Sequence, residues 1–104
     1  MIVLDTLRAD RLGTYGNERD ISPGLDALGN KGVVFDRAFA ASPWTWPSTA
    51  SLLTSLSPPQ HGIVGSKSSF LVEELHTLAE VFLQHGVTTA AFSANPLICA
   101  ERNF

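Results

Sequence analysis

Three short apolar runs, at residues 1–5, 32–39 and 87–94, alternate with stretches of helical periodicity, and this alternation constrains the fold more than any other feature. Met1-Ile2-Val3-Leu4-Asp5 is apolar without interruption and ends in a carboxylate, the pattern of a strand buried on both faces. Only four apolar residues precede Asp5, fewer than the ~5–6 residues of a typical strand, so this one reads as cut. The second run, Gly32-Val33-Val34-Phe35-Asp36-Arg37-Ala38-Phe39, and the β-prone third predict two further strands. Residues 6–20 are polar and carry Gly13, Gly16 and Asn17, which reads as loop. Ser22 then caps a helix that Pro23 begins, with Leu25 and Leu28 on one face and Gly32 as its stop. A short helix is expected from Pro47 to about Leu56, ended by Pro58-Pro59. After a loop over 57–69 comes an amphipathic helix with Leu75, Leu78, Val81, Phe82 and Leu83 as its apolar set and Gly86 as terminator.

Strand, helix, strand, helix, helix, strand predicts an α/β layered fold, a partial parallel or mixed sheet flanked by helices. Three strands make a meagre sheet, so residues 1–104 read as an incomplete part of a larger domain. Ligands in such folds gather at the carboxyl ends of the strands, where Asp5 and the turn containing Thr45 are expected. Composition removes several other classes. A hydrophobic content of 44% is too high for a disordered tail. With a net charge of −3 and scattered basic residues, no electrostatic footprint for nucleic acid or an anionic membrane is present. No apolar run approaches the ~18 residues of a membrane span. The single cysteine, Cys99, leaves no internal disulfide and no reading of the compartment; it is a small apolar residue near a loop. The glycines match neither phosphate-binding loop pattern, which argues against a nucleotide-binding module.

Asp5-Thr6-Leu7-Arg8-Ala9-Asp10-Arg11-Leu12-Gly13 resembles the opening motif of sulfatases and their relatives in the alkaline phosphatase superfamily. Ser22-Pro23-Gly24-Leu25-Asp26-Ala27-Leu28 resembles the helix that follows it, and the run at 32–39 the next strand. Ser42-Pro43-Trp44-Thr45-Trp46-Pro47-Ser48-Thr49-Ala50-Ser51-Leu52-Leu53-Thr54-Ser55 falls where that family carries its nucleophile signature, and Pro59-Gln60-His61-Gly62 matches the segment after it. Thr77-Leu78-Ala79-Glu80 and Gly86-Val87-Thr88-Thr89-Ala90 resemble the helix and strand beyond. The motifs are modest singly and specific in their order, which covers nearly the whole chain.

The resemblance implies the amino-terminal fragment of a sulfatase-like catalytic domain over 1–104. It implies a metal-dependent hydrolase of sulfate or phosphate esters, with a small-molecule, glycan or lipid ester as partner. Asp5 is then a ligand of a divalent cation (Ca, Mg, Mn or Zn), and Thr45 is the nucleophile and a second ligand. This chemistry is coherent, because a hard cation takes oxygen donors and a hydroxyl beside it loses its proton more readily. The family's remaining ligands come from a distant carboxyl-terminal part, so the 104-residue chain by itself is expected to be inactive. Blander readings stand beside these. Asp5 accepts hydrogen bonds from the following loop; Thr45 and Ser48 cap a helix. Trp44 and Trp46 build wall and core, Arg8 and Asp10 lie on a solvated surface, and His61 is structural in the family rather than a base. The competing reading of the whole is a truncated, non-enzymatic remnant of the same fold.

Four departures from the family bear on the substrate. Thr45 stands where sulfatases carry the Cys or Ser that becomes formylglycine, and threonine cannot be so converted. Thr49 stands where the signature has Arg. Ser93, Ala94, Asn95 and Pro96 stand where sulfatases carry a Gly-Lys-x-His stretch that grips the sulfate. Thr6 stands where many have a second metal-binding Asp. A threonine nucleophile occurs among the superfamily's phosphodiesterases, phosphotransferases and phosphomutases, so the pattern favours phosphoester chemistry.

Overall fold

A computed structural model describes residues 1–65 and 70–104. The part of the expected 57–69 loop at positions 66–69 lies outside the described residues. Four α-helices are present among the described residues: α1 (Pro23–Gly29), α2 (Thr45–Thr54), α3 (Pro58–His61) and α4 (Leu78–Gln84). Single 3-10 turns form at Ala9–Arg11, Gly13–Tyr15 and Ala100–Arg102. The chain divides into two compact units, Met1–Phe39 and Ala40–Phe104.

The expected sheet is not there. Among the described residues no strand forms, so the α/β reading with a partial parallel or mixed sheet is corrected to short helices joined by extended segments and turns. The physical reason is that a strand's backbone groups are satisfied only by a neighbouring strand. An apolar run favours extended backbone but cannot supply that neighbour. All three runs leave large side chains in solvent: Ile2 is 83% exposed, Val33 81% and Phe92 99%.

The first unit is organised by polar groups instead of an apolar core. Its most buried residue is Ser22, at the start of α1. The Asp26 carboxylate, one turn into α1, accepts from Thr14 N at 2.7 Å, Thr14 Oγ1 at 2.9 Å and Ser22 Oγ at 2.8 Å. Ser22 Oγ in turn accepts from Gly13 N at 3.0 Å. These bonds tie the Gly13–Tyr15 turn to α1 and hold the Asp26 carboxyl below its ordinary value, chiefly through the Thr14 N–H. Ser22 therefore precedes the helix as expected, but its hydroxyl serves this knot and makes no capping bond to the first turn. Gly13 is needed for close approach, since a Cβ there would stand 2.5 Å from Asp26 Oδ2. α1 ends at Gly29, before the expected Gly32.

An apolar core does form in the second unit. Trp46, Ala50, Ile63 and Leu71 are buried, with Leu75, Leu97, Ile98 and Phe104 packed against them. Trp46 and Ala50 lie four apart on α2, which places them on one helical face. α2 ends at Thr54 and is followed by Ser55, a non-glycine residue in the left-handed region at φ 60°. Pro58-Pro59 does not stop α2 but opens α3, with Ser57 and Gln60 as a reciprocal capping box. The Ser-x-x-Gln spacing before a proline start was a signal for this helix. α4 begins from the Thr77–Glu80 capping box, Thr77 N donating to Glu80 Oε2 at 2.7 Å. It ends before Gly86 (φ 76°), in keeping with the expected terminator, while Leu75 lies outside it.

Candidate functional site

Thr45 is the first residue of α2 and half-buried. The helix starts there, two residues before the expected Pro47, because Trp44 is extended (φ −142°, ψ 162°) and Pro47 sits in the first turn, where a missing N–H costs nothing. The residue before the helix, Trp44, makes no side-chain capping bond, and Thr45 and Ser48 both lie within the helix rather than capping it. The first turn of a helix leaves N–H groups without intrahelical partners, and the dipole favours negative charge there.

Trp46 anchors this end of α2. Its indole Nε1 donates to the Leu97 carbonyl at 2.9 Å, and the Arg102 guanidinium lies 4.7 Å from its ring centroid. Arg102 also lies 5.7 Å from the Phe70 ring, and its buried Nη1 has no hydrogen-bond partner among the described residues. Trp44, 39% exposed, is tilted against Trp46 with centroids 5.7 Å apart. Trp46 is thus core, while Trp44 stays exposed beside it.

Further along α2, Ser51 Oγ lies 3.0 Å from His61 Nε2, and Ile63 N donates to His61 Nδ1 at 3.2 Å. His61 is 2% exposed. The ring is satisfied on both nitrogens inside the protein, which agrees with a structural role. No local sequence signal pairs Ser51 with His61.

Asp5 is an exposed residue of the first unit, in a turn. The next residue, Thr6, is β-branched and left-handed at φ 60°, a strained conformation for such a side chain. Thr6 Oγ1 donates to the Asp5 carbonyl at 2.7 Å. Arg8 and Asp10 form an exposed ion pair at 2.6 Å, on the solvated surface expected for them. Screening by water makes such a pair a small stabiliser.

Asp5 and Thr45 fall in different units, and no sheet edge is present among the described residues to carry both. As oxygen donors they fit a hard cation in kind, though two are fewer than the ~6 it takes. Among the described residues no group of three or more His, Cys, Asp or Glu is placed to hold a metal ion. No helix among them is long and apolar enough to cross a membrane.

The sulfatase family model matches residues 1–103. An arylsulfatase of Clostridium perfringens is 36% identical over 89 residues, covering 86% of this chain and 18% of that protein. The steryl-sulfatase of Mus musculus is 35% identical over 100 residues, covering 86% and 16%. An N-acetylglucosamine-6-O-sulfatase of Bacteroides thetaiotaomicron is 25% identical over 103 residues, covering 99% and 18%. The chain therefore spans 16–18% of the length of these relatives. No solved structure matches it at comparable stringency.

Proposed function

The chain belongs to the sulfatase family, and on that premise we propose that it supplies the nucleophile and one further metal ligand of a hydrolase acting on sulfate or phosphate esters. The observation that carries this reading is that Thr45 opens a ten-residue helix, in the segment that resembles the family's nucleophile signature. Thr45 Oγ1 attacks the sulfur or phosphorus of the ester. A new bond to Oγ1 forms, the bond to the ester oxygen breaks, and the alcohol leaves with a proton. Water then hydrolyses the threonine ester and returns the hydroxyl. Asp5 and the Thr45 hydroxyl are each oxygen donors of the kind that would bind a divalent cation. When bound, that cation supplies Lewis acidity, easing loss of the hydroxyl proton and offsetting charge on the ester oxygens.

Within this class the reading favours phosphate esters. Formylglycine chemistry needs a convertible Cys or Ser, and position 45 has neither. Thr49 and Ala94 stand where the signature arginine and the sulfate-gripping lysine would be. A threonine hydroxyl can still attack phosphorus in line.

The test compares an aryl sulfate with aryl phosphate mono- and diesters, using the protein that carries this chain and its Thr45→Ala variant. Phosphate ester turnover is expected to exceed sulfate ester turnover, and Thr45→Ala to lower it by about three or more orders of magnitude. Treatment with a chelator is expected to abolish turnover, and added divalent metal to restore it. Efficient sulfate ester hydrolysis that survives Thr45→Ala would refute both the nucleophile and the preference.

A further inference from the structure

The Ser51–His61 contact has the outline of a nucleophile and its base, yet the hydrogens run the wrong way for that chemistry. Because the Ile63 N–H donates to Nδ1, that nitrogen carries the lone pair and the neutral ring holds its proton on Nε2. Nε2 then donates to Ser51 Oγ and cannot take a proton from it. Both neighbours of the ring are firmly held. α3 is started by the Ser57–Gln60 capping box and ends at Gly62, whose left-handed φ of 76° turns the Ile63 N–H back toward the imidazole. Ile63 is itself part of the core with Trp46 and Ala50. The imidazole is therefore fixed from the α3 side, and its remaining bond reaches the middle of α2.

We propose that His61 is a positioning residue, which through its Nε2–H bond to Ser51 sets the rotation of α2 and so the direction in which Thr45 presents its hydroxyl. This rests on the reading of Thr45 as nucleophile. Ser51 and Thr45 belong to one helix, six positions apart, so a turn of α2 about its axis moves both. The Trp46–Leu97 bond holds the opening of the helix, and the His61–Ser51 bond holds it further along. With the second hold removed, the helix swivels on the first. A misplacement of about 1 Å at a reacting atom lowers turnover on the order of 10²-fold.

The experiment measures ester hydrolysis by the protein carrying this chain, with His61→Ala, His61→Gln, Ser51→Ala and Thr45→Ala. Glutamine places an amide N–H near the position of Nε2 and keeps the bond to Ser51. His61→Ala and Ser51→Ala are expected to lower kcat about 10- to 100-fold, with KM changed by less than about threefold. His61→Gln is expected to restore most of the loss, and the double alanine variant to be no worse than His61→Ala. If His61→Ala does not fold, Ser51→Ala against His61→Gln makes the same comparison. Nitrogen-15 NMR of the imidazole is expected to show the proton on Nε2 and none on Nδ1. With Thr45→Ala inactive, unchanged kcat in Ser51→Ala, no rescue by glutamine, or a proton on Nδ1 overturns the positioning role alone. Undiminished turnover in Thr45→Ala overturns the nucleophile reading, and the positioning role with it.

Discussion

Replacing Trp46 with phenylalanine tests whether the core of the second unit is built as described. The indole is 4% exposed, and its N–H donates to the Leu97 carbonyl at 2.9 Å across 51 residues of sequence. Phenylalanine removes that donor and leaves the carbonyl without its partner, a loss of about 1 kcal/mol. The smaller ring leaves a void among Ala50, Ile63 and Leu71, which adds about 1 kcal/mol. A weaker stack under Arg102 adds a few tenths more, since phenylalanine attracts a cation less than tryptophan does. The expected total is about 2 kcal/mol, which lowers the melting temperature by about 8–16 °C in a unit of this size. Trp46→Ala is expected to cost about 3–5 kcal/mol, comparable with the whole stability of a small domain. Urea unfolding of the purified protein measures this, with the remaining Trp44 as fluorophore. A Trp46→Phe variant within about 0.5 kcal/mol of the parent would show that the indole N–H makes no consequential bond. The anchor at the start of α2 would then be wrong.

The Asp26 knot predicts a sign for acid sensitivity. Its carboxyl is held below the ordinary value of 3.8, so its contribution is present in full above that range and is lost as pH falls through the lower folded value. Melting temperature is therefore expected to drop below about pH 4, and Asp26→Asn, already weakened at neutral pH, to show a shallower drop; equal slopes would count against the knot. Thr77→Ala, which removes the capping box of α4, is expected to cost about 1 kcal/mol in denaturant unfolding, while Thr77→Ser keeps most of it. A Thr77→Ala variant as stable as the parent would mean that α4 is held by packing alone.

What could be read from residues alone was whatever depends on near neighbours in sequence. Proline and glycine mark helix starts and ends through backbone restrictions that act within a turn, so Pro23 and Gly86 were legible. The ordered motifs carried the family, since a motif is a local object too. The misreading of Pro58-Pro59 was avoidable, because Ser57 and Gln60 lie in the same short window. Pairing over distance was decided only by the folded chain. Val33, Phe35 and Phe92 have the residue types of strands, yet they lie in solvent because a ladder needs a partner and composition names none. Trp46 meets Leu97, Ser51 meets His61, and Asp26 closes on Thr14 by bonds that no periodicity announces. Even the protonated nitrogen of His61 follows from where one backbone N–H comes to rest, and that is a consequence of tertiary geometry.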